Sequence, residues 1–208
     1  DLFKQKLGEG FRVTGSFVWS FSEPFIPVLY KNAGFDCLFI DLEHSGFSYQ
    51  VVQSLVLSCR MCGLFPFVRV AKADKESLMK VWDLGALGVV VPMMEDVNQA
   101  EEFVRYSKYP PLGARGMGPG LGNMDYQFDL SLERYIEETH QKQILLVQTE
   151  TARGAEQLSS ILAVNGIDGI LTGPYDLSAS LGIPGDFEHP IYQETNEQII
   201  TTARNNNK

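Results

Sequence analysis

The chain has 208 residues, 44% of them hydrophobic, which is enough for one domain with a sizeable core. Lys and Arg number 17 against 26 Asp and Glu, so the net charge is −9, spread without blocks, and it disfavours nucleic acid and anionic membrane as partners. No apolar run approaches the roughly 20 residues of a membrane span, and the start, Asp1 to Lys6, lacks the apolar core and cleavage site of a signal peptide. The expected setting is therefore cytoplasmic, and three cysteines in apolar segments favour reduced thiols there.

Residues 1–10 read as a short helix closed by Gly8 and Gly10. Arg12–Trp19 alternates as a first strand should. Ser22 is expected to cap a helix to about Lys31, with Pro24 in its first turn, Pro27 distorting its start and Gly34 ending it. Asp36–Leu42 is a near-continuous apolar run and the second strand, followed at once by Glu43, His44, Ser45 and Gly46. The next helix, capped by Ser48, carries Val51, Val52, Leu55, Val56 and Cys59 on one stripe. Cys59 and Cys62 have the spacing of a redox pair, but they close this helix before Gly63. A redox pair should open one, so the thiols read as structural. Leu64–Val70 is the third strand, with Arg69 near its end. Asp74 caps a helix through Leu78, Val81 and Trp82 to Gly85. Gly88–Val91 is the fourth strand, stopped by Pro92, and Asp96 with Gln99 resembles a capping box opening a helix to about Ser107.

Residues 109–130 break this rhythm with a glycine-rich loop of the length that serves as a lid or binding loop. A phosphate cradle is disfavoured, because no strand feeds it and no helix clearly follows. Leu130–His140 is the expected helix leading to the strand Ile144–Val147. Ala155–Val164 carries Leu158, Ile161 and Leu162 at helical spacing, and Ile167–Leu171 is the sixth strand. A short helix over Leu177–Leu181 and a longer one over Pro190–Arg204 complete the chain. Strands alternating with helices at this spacing make a parallel α/β fold, read as a single domain over 1–208.

The last two strands each end in an acid, Glu150 and Asp176. Two hard oxygen ligands at the same end of neighbouring parallel strands suit a divalent cation such as Mg²⁺ or Mn²⁺. The plain alternative is an acid that favours the start of the following helix. Other polar residues follow strands two, three and five: Asp41, Glu43 and His44, then Arg69, then Gln148. Site residues gathered from many strand ends mark a barrel, whereas a doubly wound sheet uses two or three. His44 is a candidate proton carrier beside two acids. Arg69 reads either as a core-edge ion pair or as a bidentate clamp for a carboxylate, and Gln148 adds an uncharged donor. Metal, clamp and base together suit proton or carbon–carbon chemistry beside a 2-oxo acid.

Six blocks, Phe35–His44, Pro66–Val70, Gly85–Pro92, Tyr109–Gly116, Gln148–Thr151 and Gly173–Gly182, resemble the HpcH/HpaI aldolases in order, over nearly the whole chain. The resemblance implies a (β/α)8 TIM barrel. It also implies aldol cleavage of 2-keto-3-deoxy or 4-hydroxy-2-oxo acids, dependent on Mg²⁺, Mn²⁺ or Co²⁺, with pyruvate as one product. By the same matching, Glu150 and Asp176 hold the metal, while Asp41 and Glu43 act around it through water. Arg69, Gln148 and backbone near Pro174 and Tyr175 bind the pyruvyl unit. His44 is the base, paired with Asp83 of a neighbouring subunit, and the assembly is a hexamer of dimers that exchange their last helix. Two features depart from the family. Pro119 to Met124 contains no Arg to hold a charged aldehyde, so the acceptor half is unassigned. The family also continues for two more strands. A barrel typically needs about 250 residues, so the natural protein is expected to continue past Lys208. The same pyruvyl pocket also admits an oxaloacetate decarboxylase or a bond-forming synthase of the macrophomate synthase type, and a non-catalytic scaffold subunit is the third reading. Lys72 is the lysine nearest the expected mouth, and the resemblance favours metal over Schiff-base catalysis.

Overall fold

A computed structural model describes residues 2–129 and 131–208 of the chain. Asp1 and Leu130, each the first residue of an expected helix, lie outside the described residues. Six strands form one sheet in the order β1 (Gly15–Val18), β2 (Cys37–Asp41), β3 (Phe65–Arg69), β4 (Gly88–Val91), β5 (Ile144–Thr149) and β6 (Gly169–Thr172). The pairs β1/β2, β2/β3 and β5/β6 are parallel. Each strand neighbours the next in sequence. A doubly wound sheet would reverse its order at a switch point, so this connectivity is of the barrel type.

Packing divides the chain into two compact units, Asp1–Val89 with Arg105–Ile144, and Val90–Val104 with Leu145–Lys208. In the first unit, α3 (Tyr49–Cys62) packs on β2 and β3. Its Val52, Leu55, Val56 and Cys59 are buried, as are Leu38, Ile40 and Val68 of the strands. Ser48 Oγ accepts the Val51 N–H, and Gly63 ends the helix in the left-handed region at φ 76°. Asp74 caps α4 (Lys75–Asp83) by accepting from the Glu76 and Ser77 N–H groups.

Strand periodicity puts Phe17, Phe39 and Phe67 on the opposite face, in register across β1, β2 and β3. Their rings stack with centroids 4.9 and 4.7 Å apart. Gly88 makes room for this row, since a Cβ there would lie 2.2 Å from the Phe67 ring.

In the second unit, α7 (Ala152–Leu162) packs against α9 (Pro190–Asn205) through a core that includes Leu158, Ile161, Leu162, Ile199 and Ala203. The remaining helices are α1 (Leu2–Gly8), α2 (Ile26–Asn32), α5 (Val97–Ser107), α6 (Leu132–Lys142) and α8 (Pro174–Ser180).

Three helix starts differ by three residues from the sequence expectation. Helix α2 begins at Ile26 rather than after Ser22, so Pro27 and not Pro24 occupies the first turn, where a missing N–H costs nothing. Helix α7 begins at Ala152 because Thr151 caps it through the Gly154 N–H. Helix α8 begins at Pro174 rather than Leu177, which places Asp176 in its first turn. Among the described residues no helix is long and apolar enough to cross a membrane.

Candidate active site

In the first unit, β2 and β3 end in register at Asp41 and Arg69. Arg69 Nε and Nη2 donate to the two Asp41 oxygens at 2.9 and 2.6 Å, and Glu43 Oε2 lies 3.3 Å from Nε. The guanidinium also stands 4.7 Å over the Phe17 ring. Asp41 is fully buried. Burial alone would raise its carboxyl. The Arg69 hydrogen bonds, the Glu43 and His44 N–H groups and the Arg69 charge outweigh that and hold it below the ordinary carboxylate range. Arg69 thus makes the core-edge ion pair, the first of its two readings, and that pair fixes the orientation of its guanidinium.

His44 follows at once, exposed, with Nε2 at 3.7 Å from Glu43 Oε2. Asp83 is not beside it in the same chain. Helix α4 carries the chain back from the end of β3 to the start of β4, so Asp83 falls at the other end of these strands. There Arg115 Nη2 donates to it at 2.8 Å. Lys72 is exposed and lies 3.4 Å from Asp74. The thiols of Cys37 and Cys59 are buried and free. Burial raises both, Cys37 to about 12, so neither is poised for redox chemistry.

In the second unit, Gln148 and Glu150 share a face at the end of β5. Glu150 is 2% exposed. Its Oε1 accepts the Met93 N–H at 2.6 Å, and its Oε2 accepts from the Gln148 amide. Met93 holds the left-handed φ of 51°, rare for a residue with a side chain. Gly173, whose N–H donates to the Thr149 carbonyl, closes the β6–α8 turn over this carboxylate. A Cβ at position 173 would lie 2.3 Å from Glu150 Oε2. Asp176 is exposed three residues further on, in the α8 turn opened by Pro174 and Tyr175. Its carboxylate takes no hydrogen bond among the described residues, so it is not used as a cap.

These two carboxylates are oxygen donors of the kind a hard divalent cation takes, and Glu150 is already held in one orientation. Among the described residues no three His, Cys, Asp or Glu side chains close into a cage. A cation here would draw the rest of its shell from water and substrate, as Mg²⁺ commonly does. Sequence reasoning missed Phe17, Met93 and Arg115 as neighbours of site residues. Gly173-Pro174 was legible in the sequence as framing the two acids, but its close approach to Glu150 was set by the fold.

Residues 14–208 match the HpcH/HpaI aldolase/citrate lyase family. The chain is 37% identical over 195 residues to a hydroxypyruvate/pyruvate aldolase of Roseobacter denitrificans, covering 94% of this chain and 75% of that one. It is 35% identical over 202 residues to a 2-keto-3-deoxy-L-rhamnonate aldolase of Klebsiella pneumoniae, covering 97% and 74%. The crystal structure of an HpcH/HpaI aldolase from Desulfitobacterium hafniense superposes with a TM-score of 0.94 at 32% identity, over 98% of this chain and 78% of the other. A sheet in sequential order, strand ends that carry Arg69, Gln148 and Glu150, and likeness over almost the whole chain lead to one assignment: the protein belongs to the HpcH/HpaI aldolase/citrate lyase family.

Proposed function

We propose that this chain, an aldolase by its family and relatives, cleaves a 4-hydroxy-2-oxo acid or 2-keto-3-deoxy sugar acid to pyruvate and an aldehyde with a divalent cation. The observation that carries the reading is Glu150, a carboxylate buried at a strand end, oriented by two donors and roofed by a glycine. Glu150 and Asp176 would hold Mg²⁺, Mn²⁺ or Co²⁺, with Asp41 and Glu43 acting around it through water. When bound, the cation supplies a Lewis acid for the 2-oxo group.

Arg69 would bind the substrate carboxylate. Asp41 fixes the guanidinium plane beforehand, so little ordering remains to oppose binding. Gln148 and the backbone at Pro174 and Tyr175 would hold the pyruvyl unit. His44 would take the proton of the 4-hydroxyl as the C3–C4 bond breaks, then return it to carbon 3 of the pyruvyl fragment. Glu43 steadies the imidazolium in between. Asp83 of a neighbouring subunit would orient His44, in a cytoplasmic hexamer built from dimers. Its place at the other end of the strands from His44 in the same chain supports a partner's contribution.

Pyruvate release from a panel of 4-hydroxy-2-oxo acids tests this. We expect turnover that stops with a chelator and returns with Mn²⁺. In the wild type, Mn²⁺ at a hundredfold excess over its Kd should add about 2.7 kcal/mol to stability. Glu150→Gln should lose both turnover and that gain. Chelator-resistant turnover with a borohydride-trapped lysine adduct would overturn the mechanism. Decarboxylation of oxaloacetate without aldol cleavage would move the reading to the decarboxylase alternative.

A further inference from the structure

We propose that His140 is an acid-sensitive latch on the glycine-rich loop, fastening the loop when neutral and releasing it when protonated. The loop over 109–130 leaves the end of α5 through Lys108 and begins at Tyr109, which is fully buried. The Tyr109 backbone N–H donates to His140 Nε2 at 3.0 Å. An imidazole nitrogen accepts only while it carries no proton, so His140 is held neutral with its hydrogen on Nδ1. The Tyr109 ring lies 6.2 Å from the imidazole, and Lys108 Nζ donates to the His140 carbonyl at 3.3 Å. One residue of α6 thus grips both residues at the foot of the loop.

Protonation would turn the acceptor into a donor, so two N–H groups would face each other. Lys108 and Arg115 face the ring from the loop, and both oppose a positive imidazole. Burial first, then those two charges, hold its titration below the ordinary histidine range. On α6 itself, Glu137 is exposed one turn back, and Glu138 is taken up by Arg134 and Lys142. Lys4 of α1 adds a further cation at the Gln143 carbonyl, just past the helix end. Below the ordinary histidine value of about 6.5, the released form takes up the proton and gains on the latched one. The turn that follows hangs on Tyr109. The Tyr109 carbonyl accepts from Leu112 and Gly113, the Lys108 carbonyl accepts from Arg115, and the Arg115 guanidinium stands 4.6 Å over the Tyr109 ring. Arg115 in turn donates to Asp83 at 2.8 Å. Releasing Tyr109 therefore loosens the turn to Arg115 and, through it, the seat of Asp83. Any effect on turnover rests on the aldolase reading, whereas the latch itself does not.

Amide hydrogen exchange of the full chain, corrected for the intrinsic rate at each pH, tests the latch between about pH 7.5 and about pH 5. We expect protection of the Tyr109 N–H, and of the turn to Arg115, to fall about fivefold across that range, the weight of one hydrogen bond. His140→Gln offers an amide oxygen in place of Nε2 and does not titrate, so its protection should stay flat. That variant keeps His44 and His189, so a fall that persists in it would assign the effect elsewhere and overturn the proposal. Nitrogen NMR of the wild type gives a reading that needs no variant. At neutral pH the His140 hydrogen should sit on Nδ1, and the ring should titrate below the ordinary histidine value. A hydrogen on Nε2, a titration at or above that value, or pH-independent protection of Tyr109 would each overturn the latch. None of these readouts involves substrate or metal, so failure here leaves the aldolase reading standing.

Discussion

Asp41 and Arg69 meet as neighbouring strand ends, and their pairing sets how the candidate clamp responds to acid. The Asp41 carboxyl titrates lower in the folded chain than its ordinary value. Its contribution to stability is therefore complete above the unfolded value of about 3.9 and is lost as pH falls through the lower folded value. Replacing Asp41 by Asn leaves a buried guanidinium short of a partner, at a cost of about 3–5 kcal/mol near neutral pH. The lower end of that range is expected, because Glu43 stays 3.3 Å from Nε. Urea unfolding at stepped pH should show the gap between wild type and Asp41→Asn closing below about pH 4. A gap that widens in acid would mean that Asp41 is not held as a carboxylate. Both residue types were legible as strand-end polar groups. Their bidentate contact was not, because it joins side chains 28 positions apart.

The turn between β6 and α8 is where element geometry and candidate chemistry are most closely tied. Gly173 has an ordinary φ of −105°, so the requirement for glycine there is space and not backbone freedom. Gly173→Ala would push a methyl into Glu150 and cost about 1–3 kcal/mol of overpacking strain. The melting temperature should fall, and Mn²⁺ affinity measured by calorimetry should weaken although both acids remain. Unchanged Mn²⁺ affinity would remove Glu150 from the proposed ligand set. Caps with a short polar side chain, Ser48 and Asp74, were readable because their partners lie two or three residues away. The start of α8 was not read correctly. Pro174 fits the first turn of a helix as well as it fits a loop.

At the scale of the whole molecule, the question is whether one chain suffices for the proposed proton transfer. His44 and Asp83 lie at opposite ends of the first unit's strands, and Arg115 holds Asp83 where it is. His44→Ala and Asp83→Ala should each lose turnover. Unfolding and refolding the two together should restore part of it, since some mixed pairs then join an intact His44 to an intact Asp83. No restoration, in mixtures shown by sizing to co-assemble, would place the partner of His44 elsewhere. Binding of Mn²⁺ to each variant alone separates loss of the base from loss of the metal seat.

Periodicity, caps and turn residues act over two to four positions. The alternation of strand and helix, the six strands and the acids that follow β5 and β6 could therefore be read along the chain. The ordered family blocks carried the assignment to an aldolase in the same way. The rest depended on contacts between distant residues. Tertiary packing alone decided that Asp41 flattens Arg69 over Phe17, and that a strained Met93 turns its N–H onto Glu150 from 57 residues away. It alone left Arg115 Nε, Asn123 Oδ1 and Gln143 Oε1 buried without a hydrogen-bond partner among the described residues. A sequence names the donors and acceptors a chain possesses. Whether each is satisfied is settled only when the fold brings distant segments within hydrogen-bonding distance.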